Sequence, residues 1–203
     1  MKKPIAIQFA LLLALAAGAF WLLPQEATRA GRPGPSETPE SVMKTWPARA
    51  RAEGLAMLEK YGRPSQFDRR TLVWFNNGNW KRTIVYRNGC PNSRPGGNEN
   101  LEQTVGYLVP RIRAASFKRF SPRLAASESA GEVTFCSESE AANLLAINLA
   151  DEIAVGRRTA NEARDVFERT GRLTASGKST RLNAGLVFEV DNTRAMTPTG
   201  GDR

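Results

Sequence analysis

Between Arg70 and Arg87 the sequence RTLVWFNNGNWKRTIVYR alternates apolar and polar positions with a period near two, interrupted at Asn77-Gly78. β-Branched and aromatic residues in that alternation, joined through Asn-Gly, predict a β-hairpin. A two-residue turn at Asn77-Gly78 sets Phe75 opposite Trp80, Val73 opposite Arg82 and Leu72 opposite Thr83, which sorts the side chains onto two faces. Val73, Phe75, Trp80, Ile84 and Tyr86 share one face with Arg82 as its single charge, and that face reads as core. Leu72, Trp74, Lys81, Thr83 and Val85 share the other, which is mixed. The same period recurs in LEQTVGYLVP, where Val105, Tyr107 and Val109 alternate against Thr104 and Gly106 up to Pro110. GEVTFC, closed by Cys136, predicts a fourth strand.

Elsewhere the period lengthens to that of a helix. PARARAEGLAMLEKYG places Ala48, Ala52, Leu55 and Leu58 on one stripe, with Pro47 in the first turn and Gly62 after the last; Gly54 weakens the pattern. RIRAASFKRF reads as a short basic helix. SESE, Ser137 to Glu140, has capping-box spacing ahead of a helix through Leu144, Leu145, Leu149 and Ile153 to Gly156. TANE, Thr159 to Glu162, repeats the device for a helix carrying Ala163, Val166 and Phe167 and stopped at Gly171. GLVFEV, Gly185 to Val190, is a candidate edge strand. The pattern as a whole predicts an α+β fold: an antiparallel sheet of four to five strands built on a central hairpin, with helices packed on one face. A single domain is expected over 47–190, followed by a frayed tail over 191–203.

The ends differ in character. GRPGPSETPE, from Gly31, is rich in proline and glycine and marks a linker, assigned to 31–46. Ahead of it, Lys2 and Lys3 precede an uncharged apolar run from Phe9 to Leu23, the layout of a bacterial export signal over 1–30. Thr28-Arg29-Ala30 approximates a cleavage pattern, while the nineteen residues from Ile5 to Leu23 are also just long enough to span a bilayer. Two fates follow: a cleaved periplasmic protein, or one tethered to the outer face of the inner membrane.

An exported location changes the reading of the two cysteines. In an oxidising space Cys90 and Cys136 are expected to form a disulfide, and closing their 45-residue loop stabilises the fold by about 4 kcal/mol in the chain-entropy model. The chain has no histidine, which removes the commonest general base, the Ser-His and Cys-His pairs and most transition-metal sites. No catalytic residue, metal or cofactor is assigned. GRLTASGKST misses the phosphate-loop spacing, since Gly171 and Gly177 enclose five residues instead of four. SVMK, Ser41 to Lys44, has Ser-x-x-Lys spacing without the accompanying motifs of penicillin-recognising enzymes. Glu138, Glu140, Asp151 and Glu152 could supply an acid and a base for glycosidic cleavage, but Glu138 and Glu140 fit a helix start and Asp151 and Glu152 an exposed helix side.

MLEKYG, WKRTIVYR, LEQTVGYLVP and NLLAINLADEIAVGRRTANEARDVF, in that order, resemble an uncharacterised family of small bacterial proteins of unknown function, over Met57 to Phe167. That resemblance implies no activity, ligand or catalytic residue. Charge points further. The chain carries 29 basic and 20 acidic residues, and losing 1–30, with Lys2, Lys3 and Arg29 against Glu26, lowers the net +9 to +7. Trp74 beside Asn76, Asn79 and Lys81 forms an aromatic, amide and cationic group able to contact a sugar or a base, unless Trp74 lies under a helix. Arg82 and Arg87 would extend that group, and Arg111, Arg113, Lys118, Arg119 and Arg123 gather around the short helix. The leading expectation is a non-enzymatic, membrane-associated or periplasmic binding module. Its contact residues would be Trp74, Asn76, Asn79, Lys81, Arg82, Arg87, Arg111 and Arg113, and its partner an envelope protein, an anionic envelope polymer or the inner-membrane surface. The alternatives are a carboxylate-based hydrolase of cell-wall polysaccharide and a DNA-associated component of a transfer or uptake apparatus. Location tells against nucleic acid.

Overall fold

The computed structural model describes residues 37–91, 93 and 97–190. The expected export signal over 1–30, the expected linker up to residue 36 and the expected tail over 191–203 lie outside them. Six strands form one antiparallel sheet: β1 (Gln66–Phe67), β2 (Thr71–Asn77), β3 (Trp80–Tyr86), β4 (Leu101–Gly106), β5 (Leu124–Ser127) and β6 (Glu132–Ser137), in the order β1-β2-β3-β4-β6-β5. The helices are α1 (Pro39–Met43), α2 (Ala48–Tyr61), α3 (Ala114–Phe120) preceded by a 3-10 turn over Arg111–Arg113, α4 (Glu140–Ala154), α5 (Ala160–Ala175) and α6 (Arg181–Ala184). The fold is α+β, with β1 and β5 beyond the strands read from the pattern. Both are too short, at two and four residues, for alternation to register. Among the described residues no helix is long and apolar enough to cross a membrane.

The hairpin forms with a different register and the opposite face inward. Asn77 stands opposite Trp80, Phe75 opposite Arg82 and Val73 opposite Ile84. The turn is therefore Gly78-Asn79, with Gly78 at φ 64° in the first central position, where a two-residue hairpin loop places glycine. Asn76 takes φ 51°, which asparagine tolerates, and Asn77 turns inward to donate to Thr83 Oγ1 at 2.9 Å. The buried face is the mixed one: Leu72, Trp74, Thr83 and Val85 are buried, while Val73, Phe75, Ile84 and Tyr86 are half-buried and Trp80 alone of the expected core face is fully covered. A face's fate is set by the whole sheet. The row Leu72, Val85, Leu101 runs on across β4, and Thr83 continues through Gln103 to Phe135 of β6. Thr83 and Gln103 on that face are hydrogen-bonded, to Asn77 Nδ2 and Asn143 Nδ2, whereas Asn77 Oδ1 is buried without a hydrogen-bond partner and carries an unpaired cost.

Two apolar clusters lie between this face and the helices. Val42, Met43 and Trp46, with Ala50 and Met57 of α2, pack on Leu72, Trp74, Val85 and Leu101. Leu145, Ile147, Leu149 and Ile153 of α4 pack with Phe117 and Phe120 of α3 on Val105, Val133 and Phe135. The folded body thus already includes Pro39–Met43 ahead of Pro47, because Thr38 caps a short helix whose apolar side chains complete the first cluster. Helix α2 buries Ala50, Gly54 and Met57, and leaves Leu55 of the expected stripe exposed. Gly54 is the contact itself: a β-carbon there would collide with Met43 Sδ.

Helix α5 starts from the expected box, Thr159 accepting from Glu162 N, but runs through Gly171 to Ala175. Helix α4 is capped by Ser139, which accepts from Ala142 N; Ser137 ends β6 and donates to Asn143 Oδ1 at 2.7 Å. GLVFEV is not a strand. Buried Asn148 holds that segment in place, donating to Leu182 O and Gly185 O and accepting from Val187 N, so its backbone pairs with a side chain instead of a sheet edge. Cys90 and Cys136 lie at disulfide distance, with Cα atoms 6.5 Å apart, and join the loop after β3 to β6.

Candidate functional site

The residues expected to form one contact surface divide into three groups. Trp74 is buried under α2 and donates its indole N–H to Gly62 O at 2.9 Å. Lys81 is buried and pairs with Glu132 Oε1 at 2.7 Å. Both are committed to the interior, and Asn76 and Asn79 are exposed at the hairpin tip. Arg82 lies on the open face of the sheet among Val73, Phe75, Ile84 and Tyr86, where it donates to Thr104 Oγ1 at 3.3 Å. Glu102 shares that face; burial raises its pKa despite Arg82 and Tyr86 nearby. Burial, then the Glu102 charge, pushes the Tyr86 hydroxyl up to about 12. Arg87 leaves the far end of β3 and donates to Thr45 O at 3.1 Å.

Arg111 and Arg113 belong to a different end of the molecule. The 3-10 turn that carries them bridges β4 and α3, and crosses the C-terminal end of α4. Two contacts fix it there: Tyr107 OH donates to Asp151 Oδ1 at 2.9 Å, and the Arg113 guanidinium lies against Gly156, where a β-carbon would sit 2.8 Å from its Nη2. The negative end of the α4 dipole favours a cation at that position. Arg111 reaches Glu128 at 3.1 Å with its own side chain 90% exposed, and Lys118 and Arg119 are exposed on α3. Asp151, expected on an exposed helix side, is instead buried, because Tyr107 and Arg157 Nη2 at 2.9 Å satisfy its oxygens.

The densest polar cluster was not anticipated from the pattern. Glu140, in the first turn of α4, accepts from Trp80 Nε1 at 2.6 Å, Gln103 Nε2 at 3.3 Å, Tyr61 OH and Lys60 Nζ. Burial opposes its ionisation, but the bonds from Lys60, Tyr61 and Trp80 outweigh it and hold its pKa below the usual carboxylate value. Burial, then the hydrogen bond to Glu140 and the charge of that carboxylate, push Tyr61 in the opposite direction. Glu53, on α2, is raised to about 7 by burial, reinforced by the charge of Glu140. Two carboxylates thus titrate on opposite sides of the ordinary value, the division of labour that acid and base catalysis requires. Neither of two cavities reaches them: one of about 600 Å³ runs along Arg181 to Glu189, and one of about 20 Å³, room for a single water, lies beside the cysteine pair. No signal in the sequence announces this cluster, because its members are 37 to 80 residues from Glu140.

Among the described residues no group of three acidic or cysteine side chains is placed to hold a metal ion. Comparison with protein-family models, curated proteins and solved structures finds no match to this chain, so its chemistry rests on the residues themselves.

Proposed function

We propose that this protein is a non-enzymatic, exported binding module that engages an anionic component of the cell envelope through the basic surface of the 3-10 turn and α3. One observation carries the reading: Arg111, Lys118 and Arg119 stand in solvent along the 3-10 turn and α3, while Lys81 is sealed in an internal pair and Arg82 and Arg87 are half-buried. Exposed cations on one short element give a field that attracts polyanions and is screened by salt. The site residues are accordingly Arg111 and Arg113, joined by Lys118 and Arg119. Full-length protein is expected to sediment with its own cells' envelope fraction at low salt and to be released at high salt. Arg111→Glu with Arg119→Glu should abolish that retention, and retention unchanged by the pair of substitutions would remove the proposal.

A second reading, hydrolysis of cell-wall polysaccharide, draws on the opposed pKa values of Glu53 and Glu140. It predicts release of reducing ends from purified cell wall and their loss in Glu53→Gln. The binding reading predicts none from either protein.

A further inference from the structure

Five large apolar side chains are exposed among the described residues: Leu55, Leu108, Ile112, Val155 and Leu173. Single exposed apolar residues are ordinary on a soluble surface. Three of these five, however, gather at one end. Leu108 and Ile112 lie within the segment that Tyr107 ties to Asp151 and that Arg113 ties to Gly156, and Val155 immediately follows α4 beside that glycine. Ile112 is 85% exposed, Leu108 60% and Val155 54%. Side chains that open stand out into solvent.

The same segment supplies the charge. Arg111 adjoins Ile112 in sequence, and Lys118 and Arg119 follow on α3, with Glu128 as the acid paired to Arg111. Protruding aliphatic tips set among long cationic side chains match the interface of an anionic bilayer: the tips enter the acyl boundary and the cations remain at the headgroup phosphates. Resting on the proposed engagement of an anionic envelope component, we infer that this component is the anionic phospholipid surface itself, and that Leu108, Ile112 and Val155 insert into it. Three side chains bury little apolar area, so the contact is reversible and orients the domain on the membrane without anchoring it.

The test uses the full chain with an environment-sensitive fluorophore on Ile112→Cys, compared with the same label on Ala56→Cys of α2. Each protein is mixed with phosphatidylglycerol-containing or pure phosphatidylcholine vesicles. Emission at position 112 is expected to rise and shift to the blue with the anionic vesicles only, and to be quenched by lipids labelled in the acyl chain, while position 56 stays unchanged. Reversing Arg111 and Arg119 to Glu should weaken the response by at least about fivefold for each cation lost. Replacing Leu108 and Val155 by Ser should reduce it further at constant charge. Equal responses at 112 and 56, or equal responses to the two vesicle types, would overturn the inference. A silent label at 112, with salt-sensitive binding to a soluble anionic polymer retained, would overturn lipid insertion and leave the basic binding surface standing. Loss of both would remove the two together.

Discussion

The hairpin and the segment from Tyr107 to Phe120 contain the same kinds of residue, bulky apolar side chains beside lysine and arginine, and use them in opposite ways. In the hairpin Trp74 closes over a core and Lys81 is locked to Glu132. In the later segment Ile112 and Arg111 stand in water. The difference lies in what covers each region. Helix α2 and α1 lie across β2 and β3, and the apolar row through Leu72, Val85 and Leu101 draws that face inward. Nothing described lies over the tip of the 3-10 turn, which α4 supports only from beneath through Asp151 and Gly156. Residue chemistry proposes a contact, and tertiary neighbours decide whether it is made inside the protein or outside it.

The sharpest way to break the comparison is to disturb the covered region at its most heavily bonded point. Glu140→Ala removes the acceptor for Trp80 and Gln103, both buried, and for Tyr61. Unpaired donors of this kind cost about 3–5 kcal/mol together, to be read as a lower midpoint in urea unfolding. A change below about 1 kcal/mol would mean that the cluster is a surface feature. Next in size, Lys81→Ala leaves Glu132 without its partner in a nearly buried site and is expected to destabilise the fold by about 2–3 kcal/mol in the same assay.

A pH series sharpens the contrast by sign. Glu53 is raised to about 7 against an ordinary 4.5, so the native state holds its proton more tightly than the unfolded chain. Its contribution makes stability rise as pH falls from about 7 towards 4.5 and level off below. Glu140 behaves oppositely: its lowered pKa gives stability that is complete above 4.5 and is lost as pH falls through the folded value. Glu53→Gln should therefore stabilise the protein by about 1–2 kcal/mol above pH 7, with the gain fading towards acid pH. A flat difference between the two proteins across the series would show that Glu53 is not held in the environment described. The smallest effect belongs to the exposed end. Arg111→Ala removes an ion pair whose cation is almost entirely in solvent, and thermal unfolding should register less than about 0.5 kcal/mol. A larger loss there would place Arg111 in the fold rather than at its surface.

Much of the architecture was legible because its causes are local. The strand period of β2, β3, β4 and β6 and the helical period of α4 and α5 needed only neighbouring residues, as did the Thr159 to Glu162 box. Turn chemistry was legible only in part: Asn77-Gly78 announced a hairpin, yet with Asn76 at φ 51° the turn sits one residue later and the pairing slips by two. The helix-start spacing at Ser137 to Glu140 was likewise real but displaced, Ser139 capping and Glu140 turning to α2 and the sheet.

The sequence by itself therefore determined the class of fold, the identity of its central hairpin, the two cysteines that meet and the absence of histidine chemistry, since each follows from composition or from contacts within a few residues. Tertiary structure alone decided which hairpin face is buried, that Trp74 and Lys81 are interior groups and Arg111 and Ile112 exterior ones, and that Glu140 gathers four donors from three separate elements. Those outcomes depend on apolar area summed over the whole sheet and on partners up to 80 residues away, which no periodicity along the chain encodes.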